Sequence, residues 1–171
     1  MRAAIALPLL LLASCASGSG ADAARSPGTA VVVRPVDGDT VLVEVDGHEE
    51  PVRLIGIDTP ESVAPDRPVE CFGMEAKART AELLPRGTVV RLERDVEARD
   101  RYDRLLAYVV REEDDVLVNL LLVEEGFAEA VAYPPNLAHQ GDLDAAEVAA
   151  RAARRGLWPS CGGTDAPTGS G

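Results

Sequence analysis

The chain is short of the residues that build several common kinds of site. It has two histidines and three cysteines in 171 residues. The histidines, His48 beside a turn and His139 in a loop, are far from each other and from any cysteine cluster, which argues against a zinc site. Lysine and arginine total 17 against 29 acidic residues, a net charge of −12. That balance argues against a protein that holds a polyanion by bulk electrostatics, so any such ligand must be held by local positive charge or a bound cation. Glu49, Glu50, Glu112, Glu113, Asp114 and Asp115 read as scattered solubilising surface charge. No internal repeat or heptad pattern is present, and the one apolar run, residues 3–12, is too short to span a bilayer.

That run belongs to a leader. Met1 and Arg2 supply a positive end, and Leu12-Ala13-Ser14-Cys15 has the form of a bacterial lipobox, cut before a cysteine that is then acylated. Residues 1–14 are therefore expected to be a lipoprotein-type signal peptide, with Cys15 lipidated. The protein is then exported and membrane-anchored, on the outer side of the cytoplasmic membrane or at the outer membrane. An ordinary secretory signal, cut near Ala16 and releasing a fully secreted protein, is the other reading. Residues 15–28, rich in Ala, Ser and Gly, suit a flexible tether. Residues 29–161 form the domain, expected to be monomeric, and 162–171 a disordered polar tail. Outside the cytoplasm Cys71 and Cys161 are free to oxidise, and a disulfide between them would staple the C-terminus to the middle of the chain. Two unrelated thiols are the alternative.

Apolar, β-branched runs at 30–36, 40–45 and 52–57 predict strands, with Asp46-Gly47 as a hairpin turn. A helix is predicted over 70–84, burying Met74, Ala78, Ala81 and Leu84 and ending at Pro85 and Gly87. Strands follow at 88–93 and 105–111, then helices at 117–125, capped by Gly126, and 141–155, ended by Gly156. Periodicity alone gives a mixed α and β domain; five short strands with interspersed helices suit an OB-type barrel.

Three motifs carry the chemistry: Asp37-Gly38-Asp39-Thr40, Arg53-Leu54-Ile55-Gly56-Ile57-Asp58-Thr59-Pro60-Glu61 and Asp100-Arg101-Tyr102-Asp103-Arg104. Carboxylates and two arginines delivered from separate segments suit a hard cation and a phosphate meeting in one pocket, and point to metal-assisted phosphodiester hydrolysis. From about Ala30 to Trp158 the chain resembles the staphylococcal nuclease (thermonuclease) family through this ordered triple of motifs. The resemblance implies an α+β fold: an OB-fold five-stranded Greek-key β-barrel with three α-helices. It also implies a Ca2+-dependent endonuclease that cleaves single-stranded DNA and RNA with little sequence specificity and leaves 3′-phosphates.

Residue by residue, the resemblance makes Asp39 and Asp58 calcium ligands, with the backbone carbonyl of Thr59. Asp37 is placed near the metal without ligating it. Glu61 matches the glutamate assigned as general base, which could instead mainly orient water and its loop. Arg53 and Arg104 match the arginines that grip the scissile phosphate, where a guanidinium fork offers paired donors. Arg101, Tyr102 and Tyr133 are expected to contact substrate, the rings by stacking on bases. The bland readings are a turn-capping Asp39, a solvated Glu61 and arginines in surface salt bridges. Asp103 stands where the family has glycine, and its charge could weaken phosphate binding or displace Arg104. The other function considered is a non-catalytic OB module that binds nucleic acid or a protein at the cell surface.

Overall fold

The computed structural model describes residues 28–62 and 68–164. Cys15, the leader, the tether up to residue 27 and the tail beyond 164 lie outside the described residues. Five strands close a barrel: β1 (Thr29–Pro35), β2 (Thr40–Val45), β3 (His48–Leu54), β5 (Val89–Glu93) and β6 (Leu105–Arg111). Two-residue strands β4 (Ile57–Asp58), β7 (Val116–Leu117) and β8 (Glu129–Ala130) extend or flank it, and the helices are α1 (Gly73–Leu83), α2 (Val118–Glu124), α3 (Gln140–Ala152) and α4 (Leu157–Ser160).

The order β3-β2-β1-β5-β6 is antiparallel throughout, and a parallel pairing of β3 with β6 closes it. This is the expected α+β OB architecture, with one short helix, α4, beyond the three expected. Asp46 and Gly47, both at positive φ, make the tight turn that pairs Val45 with His48, so β3 begins directly after it. Inward-facing Val32, Val41, Val43, Val52, Leu54, Val90 and Val109 fill the barrel, and Leu122 and Leu143 cover it from α2 and α3.

Two corrections to the sequence reading concern what is buried. Helix α1 starts at Gly73 and buries Gly73, Ala76, Thr80 and Leu83, whereas Met74 is 56% exposed and Ala78 and Ala81 also face solvent. Apart from Leu83, the residues on the buried face are small, and Gly73 and Thr80 lie against site backbone. Thr80 Oγ1 donates to the Gly38 carbonyl (2.5 Å), and a Cβ on Gly73 would sit 2.6 Å from the Glu61 carbonyl oxygen. The chain also stays ordered past 161: Thr164 is buried, its N–H donating to the Glu129 carboxylate (2.7 Å).

A disulfide joins Cys71 to Cys161 across 90 residues, with Cα atoms 5.9 Å apart. The helix predicted over 141–155 ends at Ala152, and Leu157 of α4 packs fully buried with its N–H on the Gly126 carbonyl.

Candidate active site

Barrel closure places the site. In β2–β3 pairing Thr40 faces Arg53, and the Leu54 N–H donates to the Asp39 carbonyl (2.8 Å), so Asp39 and Arg53 meet at one barrel end. The parallel β3–β6 register pairs Val52 with Leu105, which brings Arg104 to the same rim. The short β4–β8 ladder, Asp58 opposite Glu129, fixes Asp58 beside them. The result is a concave site of about 550 Å³ whose lining includes Asp37, Asp39, Arg53, Asp58, Glu61 and Arg104.

Arg53 is the hub. One terminal nitrogen lies 3.1 Å from Asp39 Oδ2 and donates to the Leu54 carbonyl (2.8 Å); the other donates to Asp58 Oδ1 (2.9 Å). Its side chain is 11% exposed, so the surface-salt-bridge reading of Arg53 does not describe it. Asp39 also accepts from the Thr59 N–H and Oγ1 (both 3.2 Å) and from Thr40 Oγ1 (3.0 Å), well beyond the capping of one turn. Gly38 permits this approach: a Cβ there would lie 2.5 Å from Thr59 Oγ1.

Asp37 ties two loops together, accepting from the Gly38 N–H (2.9 Å), the Ser62 N–H (3.3 Å) and Ser62 Oγ (2.5 Å). Glu61 follows on the same segment, and its carboxyl is pushed up to about 7. The chief cause is the hydrogen bond it shares with Asp37, followed by partial burial and the negative charges of Asp37, Asp39 and Glu70.

Arg104 is gripped by Asp100, which accepts from its Nε (2.7 Å) and lies 2.7 Å from Nη2, while Nη1 points to Thr40 Oγ1 at 3.5 Å. Asp100 also accepts from the backbone N–H of Arg104 (3.0 Å) and Tyr102 (2.9 Å). Burial works against the charge on Asp100, but these bonds outweigh it and hold its carboxyl below the usual range. Asp103 has φ 65°, the left-handed conformation that favours glycine. Its carboxylate is 88% exposed, lies 3.6 Å from Arg99 and does not line the site. The charge that could have displaced Arg104 therefore points elsewhere, and Arg99 is itself held by Glu50 (3.0 Å).

Tyr133 and Tyr102 both line the cavity. The Tyr133 hydroxyl is 3.4 Å from Arg53, and its ring lies 5.8 Å from that guanidinium. Tyr102 is 64% exposed, with Arg101 and Arg104 at 4.7 and 5.5 Å from its ring centre. Sequence reasoning gave no role to Ser62, Asp100 or Asn136. Asn136, 1% exposed, bonds the Glu97 N–H and carbonyl (2.8 and 3.3 Å) and so pins the Tyr133 loop. Its place in Tyr133-Pro134-Pro135-Asn136 was visible, but its partner lies 39 residues earlier.

The donor set suits a hard cation. Its acidic side chains offer only oxygens, and Asp37, Asp39, Asp58, Glu61, Glu97 and Asp100 line the cavity with Arg53, Arg99, Arg101 and Arg104, leaving carboxylates in excess, which a cation would offset. Among the described residues no three His, Cys, Asp or Glu side chains converge at ligating distance. A cation entering here would meet Asp39 and Asp58, which Arg53 already brings together.

Residues 51–160 match the family model described as staphylococcal nuclease homologue. The chain is 40% identical over 127 residues to a thermonuclease of Staphylococcus hyicus, covering 74% of this chain and 73% of that protein. It is 41% identical over 128 residues to the thermonuclease of Staphylococcus intermedius, covering 75% and 74%. To endonuclease YncB of Bacillus subtilis (strain 168) it is 36% identical over 131 residues, covering 75% and 61%.

Proposed function

The chain belongs to the staphylococcal nuclease family, and from that premise we propose an exported, calcium-dependent phosphodiesterase acting on single-stranded DNA and RNA with little sequence specificity. The observation that carries this reading is the meeting of Asp39, Asp58, Glu61, Arg53 and Arg104 at one barrel end, around a cavity of about 550 Å³.

In this reading the scissile phosphate enters between Arg53 and Arg104. Asp39 and Asp58, with the Thr59 carbonyl, would hold the Ca2+, whose chemistry when bound would be Lewis-acid polarisation of the phosphate and offset of its charge. Glu61 aims the attacking water at phosphorus and takes its proton. Asp37 and Ser62 hold the Glu61 segment against the Asp39 turn, so that base and metal ligands keep one geometry. Arg53 and Arg104 meet the charge that builds on the phosphoryl oxygens, where a guanidinium fork supplies paired donors. The 5′ P–O bond breaks, the leaving 5′-oxygen takes a proton from solvent to become a hydroxyl, and a 3′-phosphate remains on the other product. Tyr133 and Tyr102 offer ring faces to neighbouring bases, and stacking accepts any base, which suits low sequence specificity.

With a net charge of −12, the surface repels a polyanion at long range, so affinity rests on the two arginines and the cation. Export with a lipid on Cys15 would keep such an activity away from the cell's own nucleic acid.

The test is incubation of the domain with single-stranded DNA under Ca2+ or chelator. Cleavage under Ca2+ that stops in chelator, with 3′-phosphate ends, supports the reading. Intact but bound DNA under Ca2+ overturns it in favour of a non-catalytic binding module.

A further inference from the structure

The C-terminal segment touches both arms that carry the site's carboxylates. On one side, the Glu129 carboxylate accepts the Thr164 N–H, and Glu129 pairs with Asp58 across the β4–β8 ladder. On the other, Cys161 is bonded to Cys71, next to Glu70. Glu70 and Glu61 exchange two hydrogen bonds: the Glu61 N–H donates to Glu70 Oε2 (2.8 Å), and the Glu70 N–H donates to the Glu61 carbonyl (2.9 Å). Gly73 then packs against that same carbonyl. Phe72, between Cys71 and Gly73, lies 5.4 Å ring to ring from Phe127, and the adjacent Gly126 carbonyl receives the Leu157 N–H. One strap, 157–164, therefore runs from the strand beside Asp58 to the clamp on Glu61.

We propose that Glu70 is a positioning residue for Glu61, and that the Cys71–Cys161 crosslink holds this clamp closed, making turnover depend on the disulfide. The inference rests on the nuclease reading above. Physically, Glu61 sits on a segment with no regular secondary structure, so its backbone is placed by the bonds it makes. The Glu70 carboxylate accepts its N–H and the Glu70 N–H donates to its carbonyl, fixing both peptide groups that flank the Glu61 Cα. Without the crosslink, a route from residues 70–72 to the C-terminal strap is non-covalent, through Phe72 on Phe127 and the neighbouring Gly126 carbonyl that receives the Leu157 N–H. Misplacing a water-orienting carboxylate by a fraction of an ångström affects the chemical step more than substrate binding.

The experiment compares the oxidised full domain, Cys71→Ser/Cys161→Ser, Glu70→Ala and Glu70→Gln, with kcat and KM measured on single-stranded DNA under Ca2+. Amide hydrogen exchange at Glu61 and circular dichroism are recorded on the same samples. Opening the bridge with dithiothreitol gives a matched sample. The dithiol supplies two electrons and two protons, yielding two cysteine thiols, and leaves as its cyclic disulfide. The expected result for the serine pair, the reduced protein and Glu70→Ala is a kcat lower by about tenfold to a hundredfold, with KM within about twofold. The Glu61 amide should exchange faster while global structure is retained. Glu70→Gln keeps an acceptor oxygen and should recover most of the activity.

Unchanged kcat and unchanged Glu61 exchange with the bridge open overturn the proposal, as does a Glu70→Gln enzyme as impaired as Glu70→Ala. If the serine pair fails to fold, the Glu70 variants, which keep the bridge, decide. A parent inactive on DNA refutes the nuclease reading instead, and exchange at Glu61 still reports on the clamp.

Discussion

Arg53 is held between Asp39 and Asp58, 3.1 Å from one carboxylate and 2.9 Å from the other, although the three residues come from a turn and two different strands. The same guanidinium proposed to take the phosphate thus spaces the two carboxylates proposed to take the cation. Arg53→Lys should retain the fold, because one charge remains near both partners, but it loses the fork. We expect kcat to fall by about a hundredfold or more, with a raised Ca2+ requirement. Steady-state kinetics across a Ca2+ titration checks both.

Asp100 gives a pH signature. Its carboxyl is held below its usual value in the folded protein, so it contributes stability above its unfolded pKa of about 3.9 and loses that contribution as pH falls through the depressed folded value. Asp100→Asn should be less stable than the parent at neutral pH, and the difference should begin to shrink as pH falls below about 4 and vanish only once pH lies below the depressed folded value. Denaturant midpoints measured at several pH values decide this. Kinetically, Arg104 loses its anchor in this variant, so kcat should fall at neutral pH.

Gly38→Ala tests the closeness of the two loops. The added Cβ would lie 2.5 Å from Thr59 Oγ1 and 2.8 Å from Thr59 Cβ, inside the network on Asp39. Overpacking of this kind costs about 1–3 kcal/mol. Both a lower denaturant midpoint and a weaker apparent Ca2+ affinity are expected, the latter read by calorimetric titration.

Asn119 is fully buried on α2 and bridges β6 to the turn after β3, accepting from the Val109 N–H (2.9 Å) and donating to the Ile55 carbonyl (2.8 Å). Asn119→Leu strands a donor and an acceptor in the core, each costing about 1–3 kcal/mol. Urea unfolding should show the loss, with KM unaffected at temperatures where the variant is folded.

Reduction of Cys71–Cys161 should lower stability as well as turnover. A closed loop of this length restricts the unfolded chain by about 2–4 kcal/mol. Thermal melts with and without reductant read it directly.

What the sequence by itself determined was which residues gather at the site and the order of the elements. The motif residues Asp37, Asp39, Arg53, Asp58, Glu61 and Arg104 all line one cavity, because local spacing records which residue types a cation and a phosphate require. The hairpin at Asp46-Gly47 and the helix stop at Gly126 were legible because backbone conformation there depends on the residues themselves.

Tertiary structure decided what faces what. The expected apolar stripe of α1 held only at Leu84: Met74 is outside and Thr80 inside, since Thr80 finds a partner in the Gly38 carbonyl, which comes from a turn 42 residues away. The parallel β3–β6 closure decided that Arg53 and Arg104 share a rim. Whether the Asp103 charge would reach the phosphate site depended on a positive φ and on Arg99. The strap from Glu129 through Cys161 to Glu70 likewise depends on contacts between residues far apart in sequence, and no local pattern records those.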